Sequence, residues 1–227
     1  MIDIYGVSLS RLPSKEGLIE RLDSVLYESW LARHHGLRNE HASRASLAAL
    51  LLLQTAGFCQ RLIYDKMGRP SLTDTAVDFN ITHTDGYTFC AVETPDAFHA
   101  TEGGIATSPV CRVGLDAEDL SRLDHTRVAP LVSRWFSEKE EEFFLSSPSD
   151  ETFLRIWTKK EALVKWLGTG LRDLRQADTV TAEAKCGVRF YEYCAKGAIL
   201  SLCCRENAEP PSDIHWLTDS ELGVTCV

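Results

Sequence analysis

The sequence predicts an α+β fold in which each half carries a long helix and a few antiparallel strands. Three observations predict it. The run from His41 to Ala56 is apolar and alanine-rich, as a buried helix would be. Val77 to Thr82 alternates apolar and polar residues, and after the turn Thr84-Asp85-Gly86 a second strand, Tyr87 to Val92, completes a hairpin. Beyond residue 110 a strand, three helices and further strands repeat that mixture.

In order, residues 14–35 have helical composition with little Gly or Pro. The His41–Ala56 helix has Asn39 as its N-cap and Gly57 at its end. Arg61 to Tyr64 is short and apolar, and Lys66-Met67-Gly68-Arg69-Pro70-Ser71 reads as a turn. After the hairpin, residues 100–109 are rich in Gly, Thr and Ser and are expected to connect the halves. A strand follows at Val110–Leu115, then helices near 121–133, 137–146 and 150–167. Tail strands are expected at Val188–Cys194, Ala198–Cys204 and Ile214–Leu217, with Glu209-Pro210-Pro211-Ser212 as a loop. No sequence repeat is evident. The boundary is expected near residue 108, giving halves 1–108 and 109–227.

At 227 residues with a net charge of −9, the chain is long enough for a large core and is not a general nucleic-acid binder. Its 8 cysteines form no C-x-x-C pair and no zinc spacing, so they are expected to be reduced residues of a cytosolic protein. The N-terminus lacks a basic region followed by an apolar one, so no secretory signal is expected. Leu47 to Leu53 falls well short of the roughly 20 residues that cross a bilayer. A soluble, cytoplasmic protein is the expectation.

Chemistry concentrates in two stretches. In Gly114-Leu115-Asp116-Ala117-Glu118, Asp116 and Glu118 are two residues apart and so share one face of a strand. Such carboxylates repel, and a divalent cation relieves them; Mg²⁺ is commonly held by carboxylates together with a phosphate-bearing ligand. The plainer reading is an acidic, solvated strand end continuing into Asp119. In the second stretch, Trp157 to Leu171, the residues Trp157, Glu161 and Lys165 lie one turn apart on one side of a helix. The plainer reading here is a solvent-facing Glu161–Lys165 pair, with Ile156, Leu163 and Leu167 toward the core. Otherwise Lys165 can bind phosphate or relay a proton, and Glu161 can be a third metal ligand or a general base. Gly168 suits a helix C-terminus, and Gly168-Thr169-Gly170 follows its helix, so it is no Walker loop.

Gly-Leu-Asp-Ala-Glu at 114–118 and Trp-Thr-Lys-Lys-Glu-Ala-Leu-Val-Lys-Trp-Leu-Gly-Thr-Gly-Leu at 157–171 resemble the two signature motifs of 4′-phosphopantetheinyl transferases. Weaker matches in the family's order are Gly68-Arg69-Pro70, Phe79-Asn80-Ile81-Thr82-His83-Thr84 and Phe136-Ser137-Glu138-Lys139-Glu140. The chain's length resembles the larger, single-chain Sfp-type branch. The likeness spans about 65 to 171; it is loose before residue 60, at His41 to Arg44, and nearly absent past 175. Thr82 stands where the family often has serine, and Ala117 where it commonly has a bulkier aliphatic residue.

The resemblance implies two similar α+β halves related by a pseudo-twofold, with the active site between them. It implies transfer of 4′-phosphopantetheine from coenzyme A to a serine of an apo acyl or peptidyl carrier protein, with Mg²⁺ and release of 3′,5′-ADP, as used in natural product biosynthesis. Asp116, Glu118 and Glu161 would hold the metal, with Glu161 and Lys165 catalytic. Arg44, Gly68, Arg69, Pro70, Thr82, His83 and Lys165 would contact coenzyme A. A monomer is implied, with no membrane or nucleic-acid partner. Docking an acidic carrier needs a local basic or apolar surface, to which Arg33-His34-His35-Gly36-Leu37-Arg38 could contribute; the plainer reading of that segment is an exposed polar loop. The alternatives are a non-catalytic module that binds carrier protein or coenzyme A, and a metal-dependent phosphodiesterase.

Overall fold

The structure is a computed structural model and describes residues 1–34, 39–73, 75–95, 112–170 and 174–222, the side chains of Arg122 and His125 excepted. The expected connection at 100–109, most of the expected docking segment (35–38) and Leu171 lie outside the described residues. The chain forms two compact units, 1–111 with 209–227, and 112–208. Both mix helices with small sheets, so the class is α+β.

The first unit begins with β1 (Ile2–Ser8), whose alternation sends Ile2 and Ile4 inward. Helices α1 (Lys15–Ile19) and α2 (Ser24–His34) follow, then α3 (Glu40–Thr55). The segment of helical composition at 14–35 forms two helices because the Asp23 carboxylate accepts hydrogen bonds from the backbone N–H groups of Val25 and Leu26, at 2.8 and 3.3 Å, and so starts a new helix. As expected, Asn39 caps α3 through the Ala42 N–H at 3.1 Å. Gly57, past its end, has φ +91°, a conformation that glycine adopts without strain.

Strands β2 (Leu62–Tyr64) and β3 (Pro70–Leu72) form a small hairpin. The hairpin expected next is β4 (Asp78–His83) and β5 (Tyr87–Glu93). The main sheet runs β4-β5-β1-β9, with β5 antiparallel to both neighbours. The core formed with α3 includes Leu47, Leu52, Leu53, Phe79 and Cys90.

The tail departs from the expected boundary. β9 (His215–Trp216) pairs in parallel with β1, and the Leu217 N–H donates to Gly6 O at 3.0 Å. Trp216 meets Phe89 and Tyr87 edge-on, while Leu217 and Leu222 enter the first unit's core. Residues past 209 therefore complete the first sheet, because β1 offers a free edge and apolar partners there.

The second unit holds β6 (Gly114–Asp119), α4 (His125–Trp135), α5 (Glu138–Ser146), α6 (Asp150–Leu167), α7 (Thr179–Cys186), β7 (Val188–Ala195) and β8 (Ala198–Arg205). Its sheet order is β6-β8-β7, again with the second hairpin strand beside the unit's first strand. The strand expected at Val110–Leu115 begins later, so the whole acidic motif lies within it.

The two units share one plan, and its trace is legible after all in the sequence. β1 and β6 each run into a Leu-Ser-Arg-Leu 3-10 turn, at Leu9–Arg11 and Leu120–Arg122. The Leu9 N–H donates to Gly86 O at 2.9 Å, and the Leu120 N–H to Gly197 O at 3.0 Å. The spacing from Leu9 to Leu120 equals that from Gly86 to Gly197. The repeat escapes a sequence search because few other positions at this spacing keep their identity, among them Leu52 and Leu163, Gly57 and Gly168, and Phe79 and Phe190.

The six cysteines among the described residues are all free. No helix among them is long and apolar enough to cross a membrane.

Candidate active site

The second unit brings Asp116, Glu118, Glu161 and Lys165 together, and Gly114 is the reason it can. A Cβ at Gly114 would lie 2.1 Å from Ala162 O and 2.7 Å from Trp166 N. Helix α6 thus rests directly on the start of β6, at a distance only glycine permits. That contact fixes the register between the strand's carboxylates and the helix's Glu161 and Lys165. It is tightened at the helix end, where the Trp166 indole donates to Arg112 O and Arg112 donates to Leu167 O, each at 3.0 Å. Gly168 then closes α6 at φ +72°, its N–H donating to Val164 O.

Lys165 does not pair with Glu161 as the plainer reading would have it. Its Nζ donates to Asp116 Oδ1 at 2.7 Å and to Leu115 O at 2.9 Å. Asp116 is buried, with its side chain 5 % exposed. Glu118 is half-buried and held by a hydrogen bond from Trp157. Burial first, and then the charge of Asp116, pushes the Glu118 carboxyl up to about 7; Lys165 and the Trp157 bond oppose that rise. Glu161 is also raised to about 7, by burial and then Asp116, with Glu118 adding and Lys165 opposing. Ala117, between the two strand carboxylates, is buried and stands opposite Leu200.

The remaining polar residues of the helix motif have partners of their own. Thr158 and Ser201 share a buried hydroxyl contact at 2.8 Å, and Ser201 is the cross-strand partner of Asp116. Lys159 pairs with Glu192 at 2.7 Å. Lys160 is fully buried and pairs with Glu140, also fully buried, at 2.6 Å. Sequence reasoning assigned no role to Lys160 or Glu140. The signal was present: Ser137 and Glu140 have capping-box spacing, and a lysine one place before Glu161 falls on another face of the helix.

Apart from Lys165, the expected coenzyme-binding residues lie in the first unit. Gly68, at φ +88°, and Pro70 shape the β2–β3 turn, where the Asp65 carboxylate accepts from the N–H groups of Met67 and Arg69, both at 2.8 Å. Arg69 reaches β4, donating to Asp78 Oδ2 at 2.6 Å and Phe79 O at 3.4 Å. Thr82 is buried and His83, the last residue of β4, is exposed. Arg44 donates to the carbonyls of Leu9, Leu12 and Pro13, which gives it the structural task of holding the first 3-10 turn.

Among the described residues no group of three or more His, Cys, Asp or Glu is close enough to enclose a metal ion. The donor set still suits Mg²⁺, which takes one or two carboxylates alongside substrate phosphate and water rather than a closed protein cage. Burial, and after it the charge of neighbouring carboxylates, raises Glu118 and Glu161 to about 7, and a divalent cation at this site would relieve that.

Residues 112–216 match the family described as the 4′-phosphopantetheinyl transferase superfamily. The chain is also similar to the 4′-phosphopantetheinyl transferase HetI of Nostoc sp. (strain PCC 7120 / SAG 25.82 / UTEX 2576), 28% identical over 132 residues that cover 54% of this chain and 48% of that protein. The match thus spans about half the length of that curated relative. The acidic strand and the Glu161–Lys165 helix both lie within residues 112–216, the part of the chain that is similar to the 4′-phosphopantetheinyl transferase superfamily.

Proposed function

We propose that this protein transfers the 4′-phosphopantetheine group of coenzyme A to a serine hydroxyl of an apo acyl or peptidyl carrier protein, releasing 3′,5′-ADP. The observation that carries this reading is the seating of α6 on β6 at Gly114, which holds Glu161 and Lys165 against Asp116 and Glu118. In the reaction the serine Oγ bonds to the phosphorus of the pantetheine phosphate as the bond to 3′,5′-ADP breaks. Glu161, with its carboxyl near neutrality, takes the serine proton directly or through water. Lys165 supplies positive charge to the transferred phosphate and a proton to the departing 3′,5′-ADP.

Asp116, Glu118 and Glu161 would hold Mg²⁺, which when bound neutralises pyrophosphate charge. Arg69 and His83, with the Gly68–Pro70 turn and Thr82, serve the nucleotide of coenzyme A, and His83 is the one best exposed to reach its 3′-phosphate. Arg44 supports them indirectly by fixing the turn behind β1. The Sfp-type branch, a monomer and a cytoplasmic setting belong to the same proposal.

Intact-mass spectrometry of apo carrier proteins incubated with coenzyme A and Mg²⁺ tests it. A gain of one phosphopantetheine is expected, lost with EDTA and with Glu161→Ala. No gain on any of several acyl and peptidyl carriers, with coenzyme A still bound, refutes it in favour of a binding module.

A further inference from the structure

We infer that Lys160 and Glu140 are positioning residues, a buried clamp that sets the rotation of α6 and so the placement of Glu161 and Lys165. This inference rests on the proposed transferase function for its kinetic readout only. Four segments converge on the clamp. Glu140 Oε2 accepts from Lys160 Nζ at 2.6 Å and from the Ser137 N–H at 2.8 Å. Its Oε1 accepts from the Thr179 N–H at 2.9 Å and the Thr179 hydroxyl at 2.8 Å. Lys160 Nζ also donates to Ala177 O at 2.6 Å. One carboxylate and one ammonium therefore tie the start of α5, the middle of α6, the chain before α7 and the start of α7.

Stability alone is a poor reason for such a clamp. A fully buried ion pair is often matched or bettered by apolar side chains of similar volume, because desolvation offsets the attraction. What the pair adds is direction. On its sheet side α6 has one contact surface, made by Gly114 of β6, by Thr158 against Ser201 of β8 and by Lys159 against Glu192 of β7. The clamp grips α6 on another face, one residue from Glu161. With both contacts in place the helix has one seat, and Lys165 meets Asp116 while Trp157 meets Glu118.

The test separates seating from stability. In the double variant Glu140→Gln/Lys160→Met the buried charges are removed together, and glutamine keeps the capping box with Ser137. Its melting temperature is expected above that of Lys160→Met alone and below wild type, since the glutamine NH₂ cannot accept from the Thr179 N–H. The Trp157 indole proton, assigned in ¹⁵N-labelled protein with Trp157→Phe, is expected to move upfield as its bond to Glu118 weakens. The kcat for carrier modification is expected to fall at least about tenfold, as small misplacements do, with the KM for coenzyme A within about twofold. This partial recovery of stability with wild-type Trp157 shift and kcat would overturn the proposal. If the wild-type protein modifies no carrier, the functional reading fails while the Trp157 resonance still judges the clamp. Should the double variant not fold, Lys160→Arg keeps the charge but not the fit at Ala177 O, and the same resonance decides.

Discussion

Replacing Gly114 by alanine adds one methyl group to a contact that has no room for it. The new Cβ would sit 2.1 Å from Ala162 O, about 1.3 Å inside the 3.4 Å of ordinary contact. It would also press on Trp166 N at 2.7 Å. Ala162 O and Trp166 N are the two ends of a helical hydrogen bond, so no flexible side chain can move aside. Either α6 lifts from β6 by about an ångström or the helix opens locally. Overpacking of this kind costs about 1–3 kcal/mol, which in a chain of this size lowers the melting temperature by about 3–10 °C. A lifted helix also separates Lys165 from Asp116, now 2.7 Å apart, and misplacement on that scale costs about a hundredfold in rate. Calorimetry and carrier-modification kinetics well below the transition measure the two effects. An alanine variant with wild-type stability and rate would show that the close approach at Gly114 does not set the site.

Lys165→Met is expected to cut turnover by about a hundredfold or more while the protein stays folded; a loss confined to KM would instead assign Lys165 to binding. Glu118 and Glu161 bind protons more tightly folded than unfolded, so the stability they lend is full below pH 4.5 and is lost as pH rises toward about 7. Without metal, Glu118→Gln/Glu161→Gln is therefore expected to gain in melting temperature relative to wild type between pH 4.5 and 7, and Mg²⁺ at pH 8 to raise the wild type alone. A pH-independent gap, or a Mg²⁺ effect on both proteins, would count against the carboxylate site. Deleting residues from Glu209 onward removes two core leucines, each worth about 1.5–3 kcal/mol, and is expected to expose the first unit to limited proteolysis before the second. Equal resistance in both units would show the tail to be dispensable.

Much of this organisation is legible in the sequence because it rests on local signals. The α3 cap at Asn39, the β4–β5 hairpin and the extent of α6 follow from capping, period-two alternation and helix length. The union of Asp116, Glu118, Glu161 and Lys165 follows from motif spacing. Other features depend on partners distant in sequence. No local pattern says that Lys165 chooses Asp116 over Glu161, since the choice depends on how closely α6 approaches β6. Lys160 and Glu140 look like surface residues until the helices close around them. β1 and α7 go unread because the N-terminal residues are weighed only as a possible signal, and α7 is held at its start by Asp178 and Glu140 rather than by a strong apolar period.

The return of the chain end to β1 has a consequence for the order in which the protein is made. Residues 112–208 are continuous, so that unit has all its parts when Ala208 leaves the ribosome. The other unit does not, although its first strand is synthesised first. Its edge beside Tyr5 and Gly6 waits for His215 and Trp216, and its core for Leu217 and Leu222. Domains tend to fold from the N-terminus onward during synthesis. Here the first-made sheet is closed last, and its strand edge stays open until His215 and Trp216 are made. Premature termination past Ala208 would thus leave the second unit with all its parts and the first incomplete.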